Sequence, residues 1–219
     1  KDRFVCVSIK NNIWYECKNG RWYENDSGNT LRMLISKKMH DIYMNRAQSI
    51  IDEITKMESE GENTETMRTR SQKIGDVCTH LKTTSWKNNI MKEAKELFYD
   101  KEFLNKLDFN PYLLCYNNYV IDFKTKTYRV PKPDDYISKS TNIDYIPINE
   151  LNKTTERARL YSQYRQEIND FMDSLFPDEK LRKYMWEHLA SVLIGTNQNQ
   201  SFNIYTGSGC NGKSKLIEL

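Results

Sequence analysis

The sequence is poor in glycine and proline, with only 8 and 5 residues among 219. This scarcity excludes collagen-like, low-complexity and wholly disordered chains. Long apolar runs are also missing, since the longest, ASVLIG at 190–195, is far shorter than the roughly 18 residues of a membrane span. The first residues, KDRFVCVSIKNN, contain no sustained apolar segment of the kind that a signal peptide requires. We therefore expect a globular chain that is not secreted and has no membrane partner.

Neither charge nor cysteine content points to a partner by itself. The formal net charge is only +3, so a nucleic-acid partner requires local evidence. The five cysteines are odd in number and widely spaced, which predicts neither a disulfide framework nor a zinc site and favours a reducing compartment. Cys78 and His80 could share a metal only with distant ligands, and two ordinary helix residues are the simpler interpretation.

The first thirty residues have the pattern of strands. RFVCVSI alternates, and NIWYECKNGRWYEN carries an Asn-Gly pair at 19–20 between aromatic-rich runs, which is a two-residue hairpin signal. Such a turn sets Cys17 opposite Trp22, with Ile13 and Tyr15 on the same side. We expect a small antiparallel sheet whose apolar face packs on a helix. Stacking of these rings on nucleic-acid bases is the alternative.

Helical patterns cover most of residues 30–98. From Thr30 to about Met57 apolar residues recur at three- and four-residue steps, which predicts one long amphipathic helix or two. The proposed inner face consists of Leu31, Leu34, Ile35, Met39, Ile42, Ala47, Ile50 and Ile54. A second helix, capped by Asn63 or Thr64, runs towards His80. A third covers SWKNNIMKEAKELFYD, with Ile90, Ala94, Leu97 and Phe98 facing inward.

The most basic stretch of the chain lies in these helices. Its candidate nucleic-acid contacts are Lys82, Lys87, Lys92 and Lys95, preceded by Arg68, Arg70 and Lys73. Ammonium groups in such a cluster are suited to contact phosphates. A solvated helix face is the alternative interpretation, because Glu93 and Glu96 interrupt the positive charge.

At Pro111 the pattern changes to a period of two. YLLCYNNYVIDFKTKTYRV predicts short strands with a turn near residues 124–126, a β-hairpin segment that Pro131 and Pro133 end. Extended chain follows to about residue 150. Two helices are then expected over 155–176 and 178–194, separated by Pro177, which suits a first helical position. The second has an apolar face of Leu181, Met185, Leu189, Val192 and Leu193.

One motif indicates a specific ligand, a nucleotide phosphate: GSGCNGKS at 207–214. It matches G-x-x-x-x-G-K-[ST] at every fixed position, between β-prone FNIYT and helix-compatible KSKLIEL. The glycines let backbone N–H groups surround the β-phosphate, Lys213 would face the β- and γ-phosphates, and Ser214 would ligate Mg²⁺. A chance glycine turn is the alternative. The candidate ATP-binding residues are Gly207, Ser208, Gly209, Cys210, Asn211, Gly212, Lys213 and Ser214.

A phosphate loop alone does not hydrolyse a nucleotide. Hydrolysis also requires an acidic residue on a second strand and usually an arginine, and these elements normally lie well beyond the loop. We therefore expect an excised front part of a larger NTPase. The parent protein would hydrolyse NTP, whereas this fragment would hold no catalytic residue, bind ATP and Mg²⁺ poorly and be inactive alone.

Several segments resemble one family. GSGCNGKS, with asparagine before its last glycine, resembles the phosphate loop of superfamily 3 helicases, above all the poxvirus-type primase-helicases of nucleocytoplasmic large DNA viruses. FVCVSIKNNIWYECKNGRWYEN with LRMLIS resembles the segment that precedes the helicase core in these proteins. LLCYNNYVIDFKTKTYRVPKPDDYISKSTNIDY resembles the same family's "NG-hydrophobic-hydrophobic-Asp" and "p-D-x-hydrophobic-S/T-K" segments. Asn118 stands where glycine is common in the family.

The resemblance implies an α+β architecture in three parts. Residues 1–150 would form an N-terminal helicase-associated domain with a small antiparallel sheet, long helices and the β-hairpin segment. Residues 151–200 would form a helical collar, and 201–219 the truncated start of a P-loop (AAA+) motor.

For function, the resemblance implies genome replication by an ATP-dependent DNA helicase-primase. DNA would be the partner, ATP and Mg²⁺ the cofactors, and a homo-hexamer the assembly of the full-length protein. Localisation would be the host cytoplasm or a viral replication factory. One alternative is a noncatalytic module that assembles the ring or recruits other replication proteins. Another is a different P-loop enzyme, such as a kinase.

Overall fold

The fold is α+β, with two three-stranded antiparallel sheets and several helices, as the sequence predicts. A computed structural model describes residues 2–151, 156–197, 200–207, 209 and 212–218, apart from the side chains of residues 150, 151 and 157. Contacts divide the chain into two compact units, the first made of Lys1–Phe109 with Lys132–Ser138, the second of Asn110–Pro131 with Lys139–Leu219. The boundaries expected at residues 150 and 200 stay predictions.

The first sheet contains β1 (Phe4–Ser8), β2 (Ile13–Lys18) and β3 (Arg21–Asp26), in that order. Residues 19 and 20 both have positive φ, 51° and 75°, which is what a type I′ turn requires of its two central residues. The register places Cys17 opposite Trp22. The predicted hairpin is therefore confirmed.

Both faces of this sheet are covered. The face with Phe4, Cys6 and Trp14 packs on the long helices, against Ile35, Leu81, Met91 and Ala94. The predicted apolar face, with Tyr15, Cys17 and Trp22, packs instead around Phe103 of the four-residue helix α5 (Phe103–Lys106). Packing is confirmed as the role of these aromatic residues, but the long helices lie on the face that the sequence did not single out.

The sheet also buries a carboxylate, that of Glu16. Its residue is 0% exposed, and its oxygens accept hydrogen bonds from Arg3 Nη2 at 3.0 Å and Asn25 Nδ2 at 3.1 Å. Lys18 Nζ lies 3.1 Å from the second oxygen. Burial pushes the pKa of Glu16 upward, but hydrogen bonds from Arg3, Lys18 and Thr30 outweigh it, so the pKa lies below its ordinary value.

The predicted long helix is one continuous helical segment. It consists of α1 (Asn29–Leu34), a π-helical stretch (Ile35–Met39) and α2 (His40–Ser59). Ala47, Ile50 and Ile54 are buried as predicted, but Met39 and Ile42, also expected inside, are 40% and 57% exposed. Ile42 lies about 110° around α2 from the stripe that Ala47, Ile50 and Ile54 form. Met39 lies in the π-helical stretch, whose i→i+5 bonds change the angular spacing of residues before α2 begins.

Two more helices complete the first unit's helical layer, α3 (Glu65–Lys82) and α4 (Thr84–Leu97). α3 packs on α2, and its N-cap is Thr64, one of the two predicted candidates, without a side-chain capping bond. The other candidate, Asn63, accepts from the N–H of Glu65 at 3.0 Å through its side-chain oxygen. In α4, Met91 and Ala94 are buried, whereas Leu97, predicted inside, is 68% exposed. Leu97 lies about 90° around the helix from the stripe that Met91 and Ala94 centre.

The second unit begins with a sheet of β4 (Leu113–Cys115), β5 (Val120–Asp122) and β6 (Thr127–Arg129). Its order is β4-β5-β6, and both pairs are antiparallel. The predicted turn near residues 124–126 joins β5 to β6, which confirms the β-hairpin segment. β4 adds a third strand to it by pairing with β5.

The second unit then becomes helical. Its helices are α6 (Ile148–Leu151), α7 (Glu156–Leu175), α8 (Glu179–Ser191) and α9 (Lys213–Glu218). Met172, Met185 and Leu216 form a buried cluster. The two predicted helices are confirmed, but α8 begins after Asp178, whose side chain accepts from the N–H of Leu181 at 2.8 Å. Pro177 therefore precedes the cap and is not the first helical residue.

Two expectations for the end of the second unit are wrong. Residues 201–207, predicted to contain a strand, form none, because within the described ranges no strand pairs with them. Phe202 and Ile204 are accordingly 88% and 73% exposed. Along α8, Met185 is buried, but Leu181 and Val192, expected on the same apolar face, are 48% and 67% exposed. No helix in the described part of the chain is long and apolar enough to cross a bilayer.

Candidate nucleotide and nucleic-acid sites

The described glycines of the phosphate-loop motif adopt backbone conformations that favour glycine. Gly209 has φ of 91° and Gly212 has φ of 77°, a region that residues with a Cβ rarely occupy. A Cβ on Gly212 would also lie 3.0 Å from Leu175 Cδ1. Both positions therefore favour glycine for conformation, and a Cβ at residue 212 would also require the Leu175 side chain to shift.

Lys213 and Ser214 open helix α9 directly after Gly212. The N–H of Leu216 donates to the carbonyl of Gly212 at 3.0 Å, so the helical bonding starts at the loop itself. Lys213 lines a cleft of about 440 Å³, together with Tyr184, His188 and Thr206. A helix that begins at the lysine and serine is the arrangement that a phosphate loop needs.

Of the other four residues of the motif, only Gly207 is among the described residues. Gly207 is exposed at the end of the extended segment. Ser208, Cys210 and Asn211 lie outside the described residues. The residue types and the helix after them fit a nucleotide phosphate, while contacts of individual loop residues with ATP or Mg²⁺ stay predictions.

Among the described residues, no group of three His, Cys, Asp or Glu side chains is placed to hold a metal ion. Cys78 is buried, and the imidazole of His80 is stacked on Trp86, with ring centroids 4.1 Å apart and planes 23° apart. Both residues are in α3, as the simpler interpretation of this pair has it.

The four candidate DNA-contacting lysines lie on α4 and at the end of α3. Lys82 and Lys92 are exposed, and Lys87 and Lys95 are half-buried. In the ranges that the structure describes, none of the four forms an ion pair. The three on α4 spread over about 140° of the helix circumference, so one straight phosphate backbone would not contact all three equally.

Arg68 differs from the other members of the basic stretch. Its guanidinium lies 2.6 Å from a carboxylate oxygen of Glu58, and that same carboxylate accepts from Thr64 at 2.6 Å. This contact joins the end of α2 to the start of α3. Arg68 therefore has a structural partner, which removes it from the cations available to a phosphate.

Trp86 is a residue that sequence reasoning missed at this surface. It is 48% exposed in the first turn of α4, beside Lys87 in sequence, and it stacks on His80. An exposed indole next to lysines can stack on a base while the cations contact phosphates. The sequence signal that could have indicated it is a tryptophan in the polar run KTTSWK, between Lys82 and Lys87.

Comparison with known proteins identifies relatives over most of the chain. The family model described as "D5 N terminal like" matches residues 1–188. A protein of Acanthamoeba polyphaga mimivirus named "Putative helicase" is 40% identical over 216 residues, which are 99% of this chain and 21% of that protein.

Other large DNA viruses carry similar proteins. A "Putative helicase" of Invertebrate iridescent virus 3 is 34% identical over 146 residues, 67% of this chain and 15% of the relative. A "Putative primase" of African swine fever virus is 26% identical over 137 residues, 62% of this chain and 13% of the relative. The chain thus spans about a fifth or less of these three relatives. With residues 1–188 matched, it belongs to the D5 N-terminal-like family.

Proposed function

We propose that this chain is the N-terminal helicase-associated region of a viral DNA helicase-primase that replicates the genome in the host cytoplasm or a viral factory. The observation that carries the proposal is the complete G-x-x-x-x-G-K-S motif, with Lys213 opening a helix, directly after a region of the D5 N-terminal-like family. In this proposal the chain grips DNA and carries the first nucleotide-binding element of the motor.

Nucleotide binding would use Gly207 to Ser214. Gly209 and Gly212 allow the backbone to approach phosphate oxygens, Lys213 supplies a positive charge, and the Ser214 hydroxyl supplies a ligand for Mg²⁺. The metal ion neutralises charge on the phosphates when it is bound. The acidic residue and arginine that hydrolysis requires would come from other parts of the full-length protein.

We expect the 219-residue chain alone to release no phosphate from ATP, because the loop is only one part of a hydrolytic site. In the longer parent protein, Lys213→Ala should reduce ATP turnover by at least about 100-fold, as expected when a preorganised charge contact is lost. Lys215→Ala is the matched control, since Lys215 is exposed on the same helix and pairs with Glu218 at 2.7 Å. If the chain alone hydrolyses ATP and Lys213→Ala abolishes that activity, the proposal that the rest of the hydrolytic site lies elsewhere in the parent protein is contradicted.

DNA binding tests the role of the basic surface. Changing Lys82, Lys87, Lys92 and Lys95 to Glu should weaken DNA binding equally across sequences, because phosphates carry no sequence information. The slope of log K against log salt should become shallower by up to about 3.6 for duplex DNA and about 2.8 for single strands, at roughly 0.9 and 0.7 per phosphate contact. Fluorescence anisotropy with labelled single- and double-stranded DNA at several salt concentrations measures both quantities.

The control for this experiment makes the same charge change elsewhere in the first unit. It replaces four exposed lysines outside the proposed surface by Glu: Lys10, Lys37, Lys38 and Lys101. An equal loss of slope in both variants would mean that only net charge matters. An unchanged slope in the first variant would mean that its four lysines are solvated surface residues and do not contact DNA phosphates.

A second candidate function, assembly, is favoured by one observation. The second unit exposes apolar side chains on α8 and directly after it that a packed helix would bury. They are Leu181, Tyr184, Val192 and Leu193, at 48–67% exposure. Clustered exposed apolar residues mark contact surfaces. Sedimentation velocity over a range of concentrations separates the two functions. A monomer that binds DNA supports the DNA-gripping role, and a concentration-dependent ring without DNA affinity supports assembly or recruitment of other replication proteins.

A further inference from the structure

Four tyrosine rings form one contiguous cluster on the second sheet. The ring centroids of Tyr128 and Tyr145 are 5.2 Å apart, those of Tyr119 and Tyr128 5.3 Å, and those of Tyr116 and Tyr145 5.4 Å. Tyr119 and Tyr145 close the group at 6.2 Å. All four are within the second unit, so the cluster belongs to one compact body. We call it the tyrosine face.

The strand register places these rings on a single side. Leu114, Ile121 and Tyr128 lie opposite one another across β4, β5 and β6. Tyr116 directly follows β4 and Tyr119 directly precedes β5, and their ring contacts with Tyr145 and Tyr128 place them on the same side as Tyr128. The N–H of Tyr116 donates to the carbonyl of Tyr119 at 2.8 Å and fixes the turn between them.

This side of the sheet is not the buried one. Cys115 and Val120, which point to the opposite side, are 4% and 0% exposed. Tyr128 is 41% exposed, and the other three tyrosines are half-buried. The rings therefore contact each other and still reach solvent, which a cluster serving only as core would not do.

Tyr145 comes from outside the sheet and is held there by Asn118. The Asn118 side chain donates from Nδ2 to the carbonyl of Tyr145 at 2.9 Å and accepts at Oδ1 from its N–H at 2.8 Å. The N–H of Asn117 adds a bond to the carbonyl of Ile143 at 3.0 Å. Asn118, the residue that departs from the resembled glycine, thus has a positioning role that glycine could not fill, since glycine has no side-chain amide.

The same segments carry more positive than negative charge. Residues 110–131 and 139–147 hold four basic side chains, Lys124, Lys126, Arg129 and Lys139, against two acidic ones, Asp122 and Asp144. Asp122 caps the β5–β6 turn by accepting from the N–H of Lys124 at 2.9 Å and that of Thr125 at 3.3 Å. Lys124 and Lys126 are both exposed at this turn, directly before the strand that carries Tyr128.

We infer that the tyrosine face binds single-stranded nucleic acid, with unpaired bases stacking on Tyr128 and its neighbours and the phosphates near the β5–β6 turn. Stacking on aromatic rings accepts every base, since each has a π-face, and it needs bases that are not already stacked in a duplex. Lysines beside the rings match the charge of the backbone. The inference rests on the proposed function and gives it a second contact, separate from the basic surface of α3 and α4.

The test uses the full 219-residue chain and fluorescence anisotropy with labelled single-stranded DNA, single-stranded RNA and duplex DNA. Tyr128→Leu should weaken binding to single strands about five- to a hundredfold and leave duplex binding unchanged. Tyr128→Phe, which keeps the ring, should bind like the unaltered chain. Tyr164→Leu is the matched control, because Tyr164 is 48% exposed on α7 of the same unit. The DNA and RNA strands together establish which sugar the face accepts.

Two further measurements keep the result interpretable. Asn118→Ala keeps all four tyrosines in the chain but removes the two bonds that position Tyr145, so it should weaken single-strand binding by a smaller factor. Photocrosslinking of the unaltered chain to an iodouracil-containing single strand should place the adduct on the tyrosine face, and it does not depend on how any variant folds.

The outcomes separate the two proposals. Binding of single strands that survives Tyr128→Leu and Asn118→Ala, with crosslinks elsewhere, would overturn the tyrosine face and leave the proposed DNA-gripping role standing. No binding of any nucleic acid at low salt would overturn both and assign the exposed rings to a protein contact. If Tyr128→Leu weakens single-strand binding only by making the salt slope shallower, stacking on Tyr128 is overturned as the source of affinity, because stacking releases no counterions.

Discussion

Replacing Phe103 with alanine should lower the free energy of unfolding of the first unit by about 3–5 kcal/mol, the usual cost of truncating a buried phenylalanine. Its ring is 0% exposed and contacts Tyr15, Trp22 and Tyr136, with centroids 5.2, 4.9 and 5.9 Å away. It therefore joins β2, β3 and the 132–138 segment. Its loss would leave a cavity among aromatic rings, which are too rigid to close it.

Urea unfolding followed by tryptophan fluorescence measures this effect, since Trp14, Trp22 and Trp86 of the chain's four tryptophans belong to the first unit. Phe109→Ala is the matched control, because that phenylalanine is 80% exposed and its loss should change stability by no more than about 0.5 kcal/mol. If both variants shift the urea midpoint equally, Phe103 is not the centre of this cluster.

Glu16→Ala should destabilise the same unit by about 1–3 kcal/mol, the usual cost of leaving a buried polar group without its partner, here the side-chain amide of Asn25. Arg3 and Lys18 add less, because their side chains are 51% and 55% exposed and water hydrates them once the carboxylate is gone. The change leaves Arg3, Lys18 and Asn25 facing a site that no longer accepts their hydrogen bonds. Glu58→Ala is the control, since Glu58 pairs with Arg68 at a surface where both side chains are 40% or more exposed. Solvent screens that pair, so its loss should matter far less.

The pH dependence gives a second readout for Glu16. Its pKa in the folded chain is below the ordinary value of 4.5, so the unfolded chain takes up the proton first as the pH falls. The stability that Glu16 contributes is present above about pH 4.5 and is lost progressively at lower pH. Thermal unfolding between pH 7 and pH 3 should show a smaller acid loss in Glu16→Ala than in the unaltered chain. An identical acid profile would show that the carboxylate is not stabilised by folding.

Local features were predictable where a short stretch specifies its own geometry. The Asn-Gly pair at 19–20 defined the first hairpin, because only such residues readily take positive φ at two successive positions. The periodic apolar residues of α2, α7 and α8 defined helices, and the phosphate-loop motif defined a helix that starts at Lys213. Exact inward faces were less predictable, as Ile42 and Leu97 show, because each lies roughly 90–110° around its helix from the buried stripe and only the packing neighbour decides which stripe that is.

The sites that carry the largest expected effects were not visible in the pattern. Phe103 occurs in DKEFLNKLDFNP, where nothing distinguishes it from Phe109, although one is fully buried and the other 80% exposed. Glu16 alternates with Tyr15 and Cys17 as a surface residue would. It is buried because its side of the sheet, which it shares with Phe4 and Trp14, is the side that the long helices cover. The tyrosine face likewise joins Tyr145 to rings 17 to 29 residues away in sequence, through the side chain of Asn118.

The sequence by itself determined most helices and strands, the family and the candidate nucleotide motif, since these depend on periodicity, on turn residues and on a contiguous pattern. The strand expected within residues 201–207 was the exception. Tertiary structure alone decided which side of the first sheet receives the long helices, which phenylalanine is at the centre of an aromatic cluster, and which tyrosines meet. The physical reason is that burial and ring contacts arise between segments far apart in the chain, and a local pattern specifies a surface without specifying what covers it.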